Sequence, residues 1–101
     1  VKFPPSLKRI NPGAFAWCTS LLVVNLSTCP LLQEIGDRAF SGCMSLMAAY
    51  FPKSLQRIGK CAFCDCHSLI SAEFSPTVHV HTQAFYNCRT LELRQAQLDI
   101  N

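Results

Sequence analysis

Charge is scarce in this chain: Asp, Glu, Lys and Arg make up 15% of its 101 residues, while half of all residues are hydrophobic. That balance excludes intrinsic disorder. Nine basic residues against six acidic ones give a net charge of +3 with no basic run, so no nucleic-acid partner is expected. Long apolar runs are missing as well. None approaches the ~18 uninterrupted residues of a membrane-spanning helix, which excludes insertion of that kind. Glycine occurs only four times, too few for a phosphate-cradling loop, and no serine elbow is present. Neither an initiator methionine nor a charged leader opens the sequence. It starts partway through a repeat and is expected to be a piece of a longer array. The length is that of one small domain, residues 1–101.

Cysteine, by contrast, is plentiful. Seven in so short a chain first point to a secreted disulfide framework. The count is odd, however, and four of the seven fall on a strict period that gives them a packing role instead. That period is set by the pair Ala-Phe, at Ala14-Phe15, Ala39-Phe40, Ala62-Phe63 and Ala84-Phe85, with phenylalanine spacings of 25, 23 and 22 residues. Three residues beyond each phenylalanine stands a cysteine: Cys18, Cys43, Cys66 and Cys88. Three further on stands Leu21, Leu46, Leu69 or Leu91, and five before each phenylalanine stands Ile10, Ile35, Ile58 or Val80. The chain is a tandem repeat of about 23 residues in roughly four copies.

Each unit carries a short alternating run after its leucine, with Leu21, Val24 and Leu26, then Leu46, Ala49 and Phe51, then Leu69, Ala72 and Phe74 as the inward set. Alternation predicts a strand of three or four residues. Pro4, Pro52 and Pro76 follow, where proline ends a strand because it has no N–H to donate. Gly36 and Gly59 mark the next corner, where a positive φ carries little steric cost. From phenylalanine through cysteine to leucine, apolar residues at i, i+3 and i+6 fit one or two helical turns. One unit cannot bury its apolar side alone, so the copies must stack. The expected fold is α/β: a right-handed solenoid with short parallel strands on one face and short helical turns on the other.

The unit "SLxxIGxxAFxxCxSLxxxxF", legible in "LLQEIGDRAFSGCMSLMAAYF" and "SLQRIGKCAFCDCHSLISAEF", resembles the BspA-type leucine-rich repeat over almost the whole chain. The outer units depart from it: Asn11 and His81 replace the glycine, and Arg94 falls at an inward position of the last strand. The resemblance implies a non-catalytic recognition module of bacterial or protist cell surfaces, with a protein partner and no cofactor.

In such a stack the residues between inward positions point out from the sheet: Val23 and Asn25, Ala48 and Tyr50, Ser71 and Glu73, Leu93 and Gln95. Solenoids bind along this face, and Tyr50 is its best anchor, joining apolar area to a hydroxyl. Solvated strand residues would look the same. Four strands ~4.8 Å apart and ~17 Å long offer only roughly 300 Å², against the ~800 Å² of a standard interface. A structural spacer within a longer array is therefore the competing reading. Open coil ends also favour end-to-end association between copies.

The remaining chemistry gathers at Cys61-Ala62-Phe63-Cys64-Asp65-Cys66-His67. Register sends Cys66 inward, and Cys61, Cys64 and His67 outward, although Met44 in the His67 slot is apolar. Ligands facing both ways from one short segment do not close a tetrahedral zinc site. A thiol or zinc site at Cys61 and Cys64 is thus the weakest of the three readings. Cys29, Cys61 and Cys64 are the thiols most open to oxidation, whereas Cys18, Cys43, Cys66 and Cys88 form a buried, reduced ladder. His79 and His81 flank Val80 on an extended segment, and neither they nor Cys64 with His67 find an orienting partner or pocket for catalysis.

Overall fold

A computed structural model describes residues 2–94, and for 92–94 the backbone alone. Within it the chain winds from Phe15 to Phe85 as a parallel β-solenoid. Each turn supplies two very short strands. The first set is β1 (Arg9–Ile10), β3 (Glu34–Ile35), β5 (Arg57–Ile58) and β7 (His79–Val80). The second is β2 (Val23–Asn25), β4 (Ala48–Tyr50), β6 (Ser71–Glu73) and β8 (Glu92–Arg94). Each set makes a four-stranded parallel sheet, ordered β1-β3-β5-β7 and β2-β4-β6-β8. The expected strands on the leucine side are there. The β-branched residues five before each phenylalanine form a second sheet that the repeat pattern did not announce: two residues are too few to show alternation.

The expected helical turns are absent: no helix occurs among the described residues. The three-residue spacing comes instead from successive β-turns. The Cys43 N–H donates to Phe40 O (3.4 Å) and the Leu46 N–H to Cys43 O (3.2 Å), and the other coils repeat this pair. What prevents a helix is the backbone two residues to either side of the phenylalanine. Arg38, Gly42, Cys61 and Asp65 lie in the left-handed region, as do Gly13 and Trp17, and Asn87. That conformation breaks any right-handed run. It also turns the N–H groups along the stack. Phe15, Phe40 and Phe63 donate to Ala39, Ala62 and Ala84 carbonyls in the next coil at 2.7, 2.7 and 2.8 Å. Even the turns are hydrogen-bonded from coil to coil, which satisfies backbone groups that would otherwise be buried unpaired.

Side chains then superpose. The rings of Phe15, Phe40, Phe63 and Phe85 stack at 5.3, 5.1 and 5.2 Å, within 10° of parallel. Phe51 meets Phe63 edge-on at 5.8 Å. Cys43, Cys66 and Cys88 donate their S–H groups to the carbonyls of Phe15, Phe40 and Phe63, at 3.3, 3.2 and 2.9 Å. A buried thiol here fills a small apolar space and also gives the phenylalanine carbonyl of the preceding coil a second donor. Structure assigns all seven cysteines as free thiols. Gly36 and Gly59 are required for a reason other than positive φ. A β-carbon on Gly36 would lie 2.7 Å from Pro12 N and 2.8 Å from Ile10 O, and one on Gly59 would strike Asp37. The coils come too close there for any side chain.

One register expectation is corrected. The fourth coil is one residue shorter after Leu91, so Glu92 pairs with Ser71, Leu93 with Ala72 and Arg94 with Glu73. Leu93 thus takes the register position of Val24, Ala49 and Ala72, and Arg94 that of Asn25, Tyr50 and Glu73. A one-residue slip is enough to exchange the two alternating sets of positions along a strand.

Truncating Phe63 to alanine is expected to cost about 3–5 kcal/mol, because the ring is fully buried between two others and cannot be replaced by local collapse. Urea unfolding measures it. A loss below ~1 kcal/mol would mean that the ring column is not the core.

Candidate functional site

The face of the longer sheet is built by alternation. Val24, Ala49 and Ala72 point in and are at most 1% exposed. Their neighbours Val23, Asn25, Tyr50 and Glu73 are exposed, and Ala48 and Ser71 half-buried. The register sets Val23, Ala48 and Ser71 in one column and Asn25, Tyr50 and Glu73 in the next. The structure therefore gathers six of the eight residues expected on this face. Leu93 is displaced by the slip above, and Gln95 lies outside the described residues. Asn25 is partly engaged locally: its Oδ1 accepts the Ser27 N–H at 3.1 Å and the Ser27 hydroxyl at 2.6 Å. Tyr50 stands with 44% of its surface free.

A neighbouring column was not foreseen. Leu22, Met47 and Ile70 sit one residue before the strands, linked by N–H donation from Met47 to Leu22 O (2.8 Å) and from Ile70 to Met47 O (2.9 Å). They are 57%, 48% and 49% exposed. With Val23 and Tyr50 they extend the sheet face into a band of uncovered apolar side chains across three coils. The signal was in the sequence, since all three follow the repeat leucine directly, but an apolar residue beside a core residue reads as more core. Met44, at 41% exposure, lies in the slot of Thr19, His67 and Arg89. That slot faces outward in every coil, Met44 included.

The cysteine-rich segment resolves differently from expectation. Cys64 is buried, not solvent-facing, and donates its S–H to Gln83 O at 3.2 Å. Desolvation, with the hydrogen-bonded Cys61 thiol beside it, pushes the Cys64 thiol up to about 12. Burial likewise raises Cys43, and Cys66 is raised by its hydrogen bond with Cys88 and by desolvation. Cys29 is fully buried as well, so its expected openness to oxidation is also corrected; Cys61 alone of the three thiols singled out is partly exposed. His67 turns to Asp65 and Asn87: Asn87 Nδ2 donates to Asp65 Oδ1 at 2.8 Å and lies 3.4 Å from His67 Nε2. Among the described residues no three His, Cys, Asp or Glu side chains converge as a metal site requires. His79 and His81 are both exposed, and His81 Nδ1 accepts the Gln83 N–H at 3.0 Å.

Stacked short strands, a phenylalanine column and a cysteine column repeated about every 23 residues define a leucine-rich-repeat solenoid. More narrowly, the chain belongs to the BspA-type leucine-rich repeat family: residues 1–99 match the family model described as BspA type leucine-rich repeat region (6 copies). Among curated proteins nothing matches. A solved structure that resembles it is a leucine-rich cell surface protein from Faecalibacterium prausnitzii A2-165, with a TM-score of 0.67 and 26% identity over 95% of this chain. The chain spans 31% of that protein's length. No helix among the described residues is long and apolar enough to cross a membrane.

The raised Cys64 value fixes a pH dependence. Unfolded, the thiol ionises near its ordinary 9.0; folded, it stays neutral to about 12. Between those values the unfolded state binds fewer protons, so stability falls as pH rises. Melting temperature is expected to drop across this window, and less steeply in Cys64→Ala. Equal slopes for the two proteins would contradict the assignment.

Proposed function

We propose that this chain is a non-catalytic protein-interaction module of the cell surface, binding through the face of its longer sheet. The observation that carries the reading is the uncovered apolar band of Leu22, Val23, Met47, Tyr50 and Ile70. Contiguous apolar surface rimmed by polar residues marks an interaction site more often than scattered exposed residues do. Glu73 supplies a polar rim beside Tyr50 in the same column. Location at the surface is supported by the description of the Faecalibacterium protein as a cell surface protein. The family match and the cell surface neighbour support recognition rather than catalysis.

A second reading has its own support. Four strands of three residues, each ~10 Å long and ~4.8 Å apart, cover only roughly 200 Å² where a standard interface takes ~800 Å² per partner. On that ground the segment serves as a spacer that continues a longer array. The two are separated by crosslinking capture from the native source, comparing the parent chain with a Tyr50→Asp, Glu73→Lys double variant. Circular dichroism confirms that both are folded. Recognition through this face expects at least ~10-fold weaker capture of a specific partner by the variant. Identical capture by both would leave the spacer reading.

A further inference from the structure

A different edge of the solenoid carries a feature that neither folding nor the sheet face explains. Two residues past each phenylalanine lie Trp17, Gly42, Asp65 and Asn87, all left-handed, with φ of 62°, 75°, 61° and 63°. They form one column. The Trp17 N–H donates to Ser41 O, that of Gly42 to Cys64 O and that of Asp65 to Tyr86 O, at 2.7, 2.7 and 3.0 Å. Glycine, aspartate and asparagine are the residues that tolerate this backbone; a bulky aromatic there is an outlier. Trp17 is also the sole tryptophan of the chain, and it stands 58% exposed. Single exposed apolar residues are ordinary. A strained one with a prepared seat is not.

That seat is Gly42. A β-carbon built there would run into the indole, meeting Cε3 and, at 2.5 Å, both Cδ2 and Cζ3. Near-equal approach to three consecutive ring atoms is the geometry of a ring lying flat. One face of the indole therefore rests on the bare backbone of the second coil and buries it, leaving the opposite face to solvent. Beside Gly42, one strand spacing (~4.8 Å) along the column, comes Asp65. Its Oδ1 is held by Asn87 Nδ2 at 2.8 Å, and His67 Nε2 lies 3.9 Å from the same oxygen. Asp65 Oδ2 makes no hydrogen bond among the described residues, and neither does the Asn87 amide oxygen.

From this geometry we infer that the Trp17–Gly42–Asp65–Asn87 edge is a binding site for a neutral saccharide. A pyranose presents an apolar C–H face that packs on an aromatic plane, with hydroxyls around its rim. The indole takes the face. The Asp65 carboxylate, oriented by Asn87, accepts from hydroxyls, and the amide supplies both donor and acceptor. A few placed polar groups beside an apolar surface are what orients a small ligand. Proline-rich peptides also stack on aromatics but dock in grooves lined by several of them, whereas here one flat platform borders a polar cluster. The site is independent of the sheet-face reading and stands whether or not that face binds a protein.

The single tryptophan makes the test direct. The purified chain is titrated with cellotetraose, tetra-N-acetylchitotetraose, mannotetraose and, as a peptide control, polyproline, following intrinsic fluorescence. A saturable shift with at least one oligosaccharide is expected, with a dissociation constant around the millimolar range for so open a platform. Asp65→Asn should weaken it by about 10-fold or more, the worth of a charged hydrogen bond. Trp17→Asn should abolish binding in calorimetry. That variant is expected to fold, because asparagine already occupies the same column at position 87 with φ 63°; circular dichroism verifies it. No saturable response to any oligosaccharide would overturn the proposal, as would a response to polyproline alone or undiminished binding by folded Trp17→Asn.

Discussion

Everything in this molecule depends on the coils lying close enough for backbone to bond backbone at the turns as well as at the strands. The N–H groups of Phe15, Phe40 and Phe63 reach the next coil at 2.7–2.8 Å. That spacing puts one phenylalanine ring on the next at 5.1–5.3 Å. It also brings each cysteine under the preceding coil's phenylalanine carbonyl and forbids a β-carbon at Gly36 and Gly59. Any larger unit pitch would break all of these at once. The repeat is conserved in form from coil to coil because each of its inward residues answers to this one distance. A solenoid of this kind has nearest-neighbour cohesion only, so the fit of one coil on the next is the fold.

How much of this the residues announce follows from how each one is constrained. The Phe, Cys and Leu columns are legible because buried positions in a stack admit few side chains, and four copies make the period plain. Turn conformation was not. A spacing of three apolar residues is shared by a short helix and by successive β-turns, and the deciding left-handed residues include Trp17, Arg38 and Cys61, which carry no such preference. The second sheet was hidden because its strands are two residues long. At the candidate site, alternation alone located Val23, Asn25, Ala48, Tyr50, Ser71 and Glu73. Leu93 went astray because a coil shortened by one residue moves the register, and only the pairing with Ala72 reveals where. The exposure of Leu22, Met47 and Ile70 is not legible in the sequence, since exposure of an apolar residue depends on what lies opposite it.

The same economy shapes what the outside offers. Inward columns are spent on packing, so variety is confined to outward ones: the sheet face, the apolar column beside it, and the turn edge with Trp17. Buried thiols belong to the packing set. Desolvation holds the Cys43 and Cys64 thiols above their ordinary range, the hydrogen bond with Cys88 and desolvation do so for Cys66, and the S–H groups of Cys43, Cys64, Cys66 and Cys88 already have carbonyl partners. Chemistry in this chain is therefore a matter of which side chains the outward columns present, on a scaffold indifferent to their identity.

The account is tested most directly by amide hydrogen exchange of the native chain, read residue by residue. If the turns are bonded from coil to coil, the amides of Phe40, Gly42 and Phe63 exchange as slowly as those of the β4 and β6 strands. Exchange of these turn amides at the rate of exposed amides such as that of Lys53, with the strands still protected, would contradict it.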